Sequence, residues 1–326
     1  MTESRMDKQE INRLAYNIST NDWDEKEKII VGNYEIRQFQ GTAFISDYQC
    51  FLISKLKENG KGYLPIMVAK ITDRNESFML NLLKSHNYCV PKELCVVSNH
   101  TEKIMIFEEY IPGKELYNKS TPYNWRLTAR SIARIHERFW NITGKPSHYL
   151  DGLPENARAE ANRLWEQRID TCRYVSGFKF EWQEAFKRIE DRMTVCPQTL
   201  AHGDFFPTNI IIKGKEPYFI DWENAGEYPY FRDVGRITGI INTETLESFC
   251  PDVDCFLKEY YGIVNNMLNV DYEAFLLDIQ MGQYIEVANQ FTPPKRIGTQ
   301  IFRDTSMYNE KTERALDGLS RKIIGK

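Results

Sequence analysis

The segment "LAHGDFFPTNIIIKGKEPYFIDWENAG", Leu200 to Gly226, places His-Gly-Asp on a short loop, an Asn five residues after that Asp, and a second Asp twelve residues after the Asn. Between these positions run "IIIK" and "PYFI", β-branched and aromatic stretches of the kind that build sheet. Unpaired carboxylates beside such a core are costly, so their placement in the bends asks for a chemical reason. "KGKEP", Lys213 to Pro217, reads as a tight hairpin that brings the outer ends of two strands together and sets Asn209 beside Asp221. Hard oxygen ligands of this kind suit Mg²⁺, which keeps several waters and takes one or two carboxylates along with substrate phosphates. Asp204 stands nearby without being a ligand. One residue to accept a hydroxyl proton, with a carboxylate and an amide to hold metal on phosphates, is the arrangement phosphoryl transfer uses.

The preceding sequence supplies what such a site lacks. "NYEIRQF" (Asn33 to Phe39) alternates polar and apolar residues, as a half-buried strand does. "YQCFLISKL" (Tyr48 to Leu56) and "YLPIMVAKI" (Tyr63 to Ile71) follow as strands, the latter with Lys70 near its end. "NESFMLNLLKSH" (Asn75 to His86) changes to a helical period. "ELCVVS" and "KIMIFEEYI" read as a further hairpin, giving roughly five strands and one helix by Ile111. Lys70 is a point charge suited to α- and β-phosphates. Glu76 opens the helix in position to pair with it. "QGTAFIS", Gln40 to Ser46, is a turn that can fold over phosphates, though it holds one glycine.

Pro112 and Gly113 break the strand pattern, and helical periods dominate beyond them. The expected plan is α+β and two-lobed: a small β-rich lobe with one helix over residues 1–110, and a larger, mostly helical lobe over 111–326. The first thirty residues read as an extra helix or a loose segment. A cleft between lobes is a common place for a ligand.

Composition narrows the partners. The net charge is −4, so no basic field argues for nucleic acid or an anionic membrane. The opening residues lack an apolar core of the signal-peptide kind, and no stretch nears the roughly 20 apolar residues of a membrane span. Seven scattered Cys show no zinc-site spacing and read as reduced, mostly buried thiols of a cytoplasmic protein.

"HGDFFPTN" followed by "IDWE" resembles the catalytic and metal loops of the aminoglycoside phosphotransferase and choline kinase family, relatives of the protein kinases. The family pattern His-Gly-Asp-x-x-x-x-Asn matches at His202, Gly203, Asp204 and Asn209, and its metal-binding Asp at Asp221. "VAK" resembles the family's lysine strand and Glu76 its helical partner. "EEYIPGKEL" resembles the kinase hinge, which implies that the Glu109 carbonyl and the Ile111 N–H bond adenine. "IARIH" (Ile132 to His136) is similar to a family helix, and "EYPYFRDVGR" to the segment whose Asp, here Asp233, braces the catalytic loop. Phe206 departs from the pattern, since many members carry a second His there.

The resemblance implies a protein-kinase-like fold and a kinase that moves the γ-phosphate of ATP (or GTP), with Mg²⁺, to a hydroxyl of a small acceptor. His202 is expected to hold the loop, His136 to be a satisfied core histidine, and Glu223 either to touch a second metal or to be solvated. The acceptor stays open among aminoglycosides, choline or ethanolamine, homoserine and sugar derivatives. An aminoglycoside needs several acids, and choline needs an aromatic cage. The second lobe offers Asp252, Asp254, Glu259, Asp271, Glu273, Asp278 and Glu286 for the one, and Trp222, Tyr228, Tyr230, Phe231, Tyr260, Tyr261 and Tyr284 for the other. A nucleotide-binding protein without turnover is the competing reading. A protein kinase is disfavoured by the short stretch between Asp221 and Asp233.

Overall fold

The computed structural model describes residues 8–21, 28–38, 49–98, 103–140, 155–239, 248–268, 270–291, 295–297, 300–302 and 307–325. The chain forms two compact units, Met1–Pro112 and Gly113–Lys326.

The first unit carries α1 (Lys8–Thr20), β1 (Lys28–Val31), β2 (Tyr34–Gln38), β3 (Cys50–Leu56), β4 (Tyr63–Thr72), α2 (Arg74–Ser85), β5 (Glu93–Ser98) and β6 (Ile104–Glu109). The strands make one six-stranded sheet in the order β1-β2-β3-β4-β6-β5, with every neighbouring pair antiparallel. Two elements exceed the sequence expectation. β1 adds a strand at the sheet's edge, and Lys8–Thr20 form the extra helix that the sequence left open. Ile11, Leu14, Ala15 and Ile18 form the buried stripe of α1, at the spacing of one helical face. They pack in one cluster with sheet residues that include Ile36, Phe51, Ile53, Ala69 and Phe107. Asp73 caps α2 by accepting the Asn75 N–H at 2.8 Å, which starts the helix just after β4 ends.

The second unit carries β7 (Lys114–Glu115), α3 (Pro122–Arg138), α4 (Glu155–Ser176), α5 (Phe180–Met193), β8 (Gln198–Ala201), β9 (Ile210–Lys213), β10 (Glu216–Phe219), β11 (Gly226–Pro229), α6 (Phe231–Gly239), α7 (Val253–Leu268), α8 (Tyr272–Gln290), β12 (Lys295–Ile297), β13 (Gln300–Phe302) and α9 (Met307–Ile324). β10-β9-β7 form a small antiparallel sheet, and β8 pairs with β11. These short strands are the β island within helices that the quoted segment foretells. Helix α6 packs on α8 with backbones in close approach: a Cβ on Gly235 would lie 2.5 Å from the Gly282 carbonyl carbon. That contact sets the next residue, Arg236, against Glu286 one turn along α8. The cysteines depart from expectation: all seven are unpaired, but only Cys172, Cys196 and Cys250 are buried. Among the described residues no helix is long and apolar enough to cross a membrane.

Candidate active site

Strand β8 delivers the chain into the loop His202–Phe206, a short 3₁₀ turn over Pro207–Asn209 follows, and β9 leads away. The β9–β10 hairpin turns through Gly214 and Lys215, so Phe219 faces Ile210 in register. One residue further, the Ile220 N–H donates to the Asn209 carbonyl at 3.0 Å. Asp221, the next residue, therefore leaves the hairpin beside Asn209. It does so with φ +69°, in the left-handed region. Asp is one of the few non-glycine residues that tolerates this conformation, and such strain gathers at functional sites. β10 stops at Phe219, two residues short of Asp221, which takes that Asp out of the ladder and into a bend.

The His-Gly-Asp loop is held from several sides. Gly203 has φ +81°, and a Cβ there would lie 2.0 Å from the Asn224 carbonyl oxygen, so only glycine lets the two loops touch. Asp233, fully buried on α6, accepts the His202 N–H at 2.6 Å and the Gly203 N–H at 3.0 Å. His136 Nε2 lies 3.2 Å from the same carboxylate, and its Nδ1 lies 2.7 Å from the Tyr260 hydroxyl. His202 donates from Nε2 to the Ile220 carbonyl at 2.8 Å, tying this loop to the end of the hairpin. Both histidines are thus satisfied and buried. Burial pushes the Asp233 carboxyl up, but the bond and charge of His136 outweigh it and hold its pKa below the ordinary 3.8.

Asp204 is half-buried. The Asn209 amide donates to its Oδ2 at 3.1 Å and to its backbone carbonyl at 3.0 Å. Its Oδ1 takes a guanidinium N–H of Arg236. Arg236 also forks onto both oxygens of Glu286 at 2.8 Å, and Arg168 of α4 reaches Glu286 Oε2 at 2.9 Å. Burial raises the Asp204 carboxyl, yet the charge of Arg236 and others nearby win, and the pKa sits below the ordinary value. Glu286 behaves alike: burial pushes it up, and Arg236 and Arg168 bring it down further. Arg232 donates to the Gly203 carbonyl at 3.2 Å, and its guanidinium carbon stands over the rings of Tyr228 (3.6 Å to the centroid) and Trp165 (4.7 Å).

In the first unit, Lys70 and Glu76 meet: Nζ lies 2.9 Å from Oε2, with both residues buried. β4 lies inside the sheet, flanked by β3 and β6, so Lys70 is not an edge-strand charge placed to block aggregation. Glu109 closes β6 and Ile111 follows two residues on. The Glu109 N–H donates to the Lys92 carbonyl at 2.9 Å and the Tyr110 N–H to the Ile66 carbonyl at 3.3 Å, which fixes the chain on both sides of that turn. The expected phosphate turn, Gln40 to Ser46, lies outside the described residues.

The structure therefore gathers Asp204, Asn209 and Asp221 in the second unit, and Lys70 and Glu76 in the first. It adds residues the sequence reading did not name: Arg168, Arg232 and Arg236. The available signal was the i, i+4 pair Arg232 and Arg236 astride Asp233 in an otherwise apolar helix, since that spacing puts both cations on one face. The two acceptor lists also change meaning. Tyr261 is partly exposed, and the other six aromatics are buried to 1% exposure or less. Of the acids, Asp252 and Asp271 cap helices, Asp254 pairs with Lys258, Glu259 with Arg130, Asp278 with Arg192, and Glu286 with two arginines. Glu273 is exposed on the first turn of α8.

No curated protein matches the chain. Among solved structures, the ethanolamine kinase of Plasmodium vivax superposes with a TM-score of 0.56 at 14% identity, covering 97% of this chain and 96% of that one. The choline kinase of Cryptosporidium parvum gives 0.53 at 14% identity, with the same coverage of both chains. The fold is thus the two-lobed, kinase-like α+β fold that the sequence resembles. The model of the phosphotransferase enzyme family matches residues 75–263, more than half of the chain and all of the loops just described; the chain belongs to that family.

Proposed function

We propose that this chain is an ATP-dependent kinase that transfers the γ-phosphate to a hydroxyl of a small molecule, with Asp204 as the group that receives the hydroxyl proton. The observation that carries the reading is the joined set Asp204, Asn209 and Asp221, fixed by Asp233 and His202 from behind. Asp204 is ionised at neutral pH because its pKa is depressed. It can therefore accept a hydrogen bond from the acceptor and orient its oxygen in line with the phosphorus. The new bond forms between that oxygen and the γ-phosphorus as the bond from phosphorus to the bridging oxygen breaks. The hydroxyl proton goes to Asp204, and ADP leaves with the bond's electrons. Little covalent work falls to the protein, so positioning and charge carry most of the rate.

The donor set fits Mg²⁺. The amide nitrogen of Asn209 is committed to Asp204, which leaves its oxygen to offer. Carboxylate oxygens of Asp221 and Glu223 lie within 4.8 Å of each other. These are hard oxygens of the kind Mg²⁺ takes. When bound, the ion neutralises charge on the phosphates. Asn209 and Asp221 would hold it, with Glu223 alongside. Lys70, steadied by Glu76, would meet the α- and β-phosphates, and the backbone at Glu109 and Ile111 would meet the base.

Two predictions follow from these roles. Replacing Lys70 with Met removes one charge-assisted contact to phosphate, a loss of about 1.5–3 kcal/mol. The KM for ATP should rise by roughly ten- to a hundredfold, and steady-state kinetics with varied ATP would show it; an unchanged KM would remove Lys70 from the phosphates. Replacing Arg236 with Gln removes from Asp204 the cation that lowers its pKa most, so burial is opposed only by the charges of His202 and Arg168. The pKa of Asp204 then rises, so the acid limb of kcat/KM against pH should move to higher pH. A limb that stays in place would show that Asp204 does not set it.

The overall reading is tested by ADP release with Mg²⁺-ATP across aminoglycosides, choline, ethanolamine, homoserine and small sugar derivatives. Strong stimulation by one class is expected. Nucleotide binding with no stimulation by any acceptor, and no slow ATP hydrolysis without one, would favour a binding protein without turnover.

A further inference from the structure

We propose that the acceptor carries an anionic group, a carboxylate or a phosphate, and that Arg232 and Arg236 bind it beside Asp204. The inference rests on the kinase reading for its reaction and on the second unit alone for its geometry. Three guanidinium groups gather here: Arg168 and Arg236 pair with the carboxylates of Glu286 and Asp204, and Arg232 donates to the Gly203 carbonyl beside them. Burial and the neighbouring charge of Arg236 lower the pKa of Arg168, which marks the crowding of like charge.

Two donors in the cluster find no acceptor: Nη1 of Arg232 and Nε of Arg236 are buried and unbonded. Arg232 is 6% exposed. The residues Arg232 and Arg236 line a void of about 10 Å³ together with Trp165, Arg168, Gly203 and Glu286. That is room for roughly one water or one ligand oxygen. A buried charged donor without a partner is unfavourable, and an anionic oxygen supplies the missing acceptor. Arg236 holds Asp204 through one arm of its fork, so a group bound at its Nε stands close to the carboxylate that takes the proton. The acceptor hydroxyl then sits only a few bonds from the anion, as in a hydroxy acid or a sugar phosphate.

The same residues disfavour cationic acceptors. A quaternary ammonium needs open aromatic faces, and Arg232 already stands over the rings of Trp165 and Tyr228. A polyamine sugar needs carboxylates to spare, and of the seven acids offered for it all but Glu273 pair with cations or cap helices.

The test uses the full chain with its nucleotide site filled by Mg²⁺ and a non-hydrolysable ATP analogue. Inorganic phosphate is titrated by calorimetry into wild type and into Arg232→Met, which keeps the packing on Tyr228 and loses the donors. Binding to wild type that weakens at least tenfold in the variant is expected. No binding, or binding equal in both, overturns the site. A second measurement needs no variant: ADP release with glycerate against glyceramide, and with homoserine against homoserine amide. The carboxylates should exceed their amides at least tenfold in kcat/KM. Amides that serve as well, or choline or an aminoglycoside that serves better than any anion, overturn the inference while leaving the kinase reading intact. Phosphate binding that depends on Arg232, with no transfer to any acceptor, upholds the anion site and removes the kinase reading instead.

Discussion

Asp204→Asn is expected to lower kcat by about 10²–10⁴-fold, the usual worth of a positioned proton acceptor, while ATP affinity stays nearly unchanged. The substitution keeps the shape and one oxygen, so the contact from Asn209 can persist. It removes the charge proposed to receive the hydroxyl proton. Arg236 loses one partner but keeps both oxygens of Glu286 at 2.8 Å, so the cluster is not left open. The effect should therefore appear in turnover and not in the melting temperature. Steady-state kinetics with saturating acceptor, beside a thermal melt, separates the two. A variant with more than a tenth of wild-type kcat would take Asp204 out of the proton's path.

The second large effect concerns stability. Asp233→Ala should destabilise the second unit by about 3–5 kcal/mol, the cost of breaking a buried, hydrogen-bonded charge cluster from one side. The backbone N–H groups of His202 and Gly203 lose their acceptor, and His136 loses the partner of Nε2. None of these groups reaches solvent. Against a total stability of about 5–15 kcal/mol, that loss is large. It also carries a pH signature. The pKa of Asp233 in the folded chain lies below its ordinary 3.8, so its contribution is complete above that value and fades as pH falls through the folded value. The gap between wild type and variant should be full at pH 7 and shrink under acid. Denaturant unfolding at several pH values measures it, and a gap below about 1 kcal/mol at neutral pH would contradict the bracing role.

Much of this arrangement is legible in the chain because it rests on spacing. The run from His202 to Asp221 fixes a loop, a turn and a two-strand hairpin, and the register then puts Asn209 next to Asp221 with no help from distant residues. Lys70 and Glu76 are close in sequence, on a strand end and the first turn of the next helix, so their meeting is also local. What escaped depends on packing that leaves no periodic trace. Helix α9 mixes Thr312 and Ser320 with Leu316, Ile323 and Ile324 on its buried side, which dilutes its apolar stripe. Helix α6 is nine residues long and buries Arg232 and Asp233 along with its apolar face, so a one-sided pattern alone does not mark its charged side as internal. Strand β1 is four residues long and mostly open on its edge. The positive φ of Asp221 arises where the hairpin must turn toward Asn224, which no propensity records. The arginine cluster joins α4, α6 and α8, separated by 50 residues or more between partners such as Arg236 and Glu286, and forms only once Gly235 lets α6 lie against Gly282.

The measurement that bears most directly on the central claim is label transfer from ATP carrying ³²P in its γ-phosphate, with Mg²⁺ and the acceptor panel, for wild type and Asp204→Asn side by side. The account predicts label on an acceptor hydroxyl with the wild type and almost none with the variant. Label that stays on ATP for every acceptor, or that moves equally well without the Asp204 carboxylate, would contradict it.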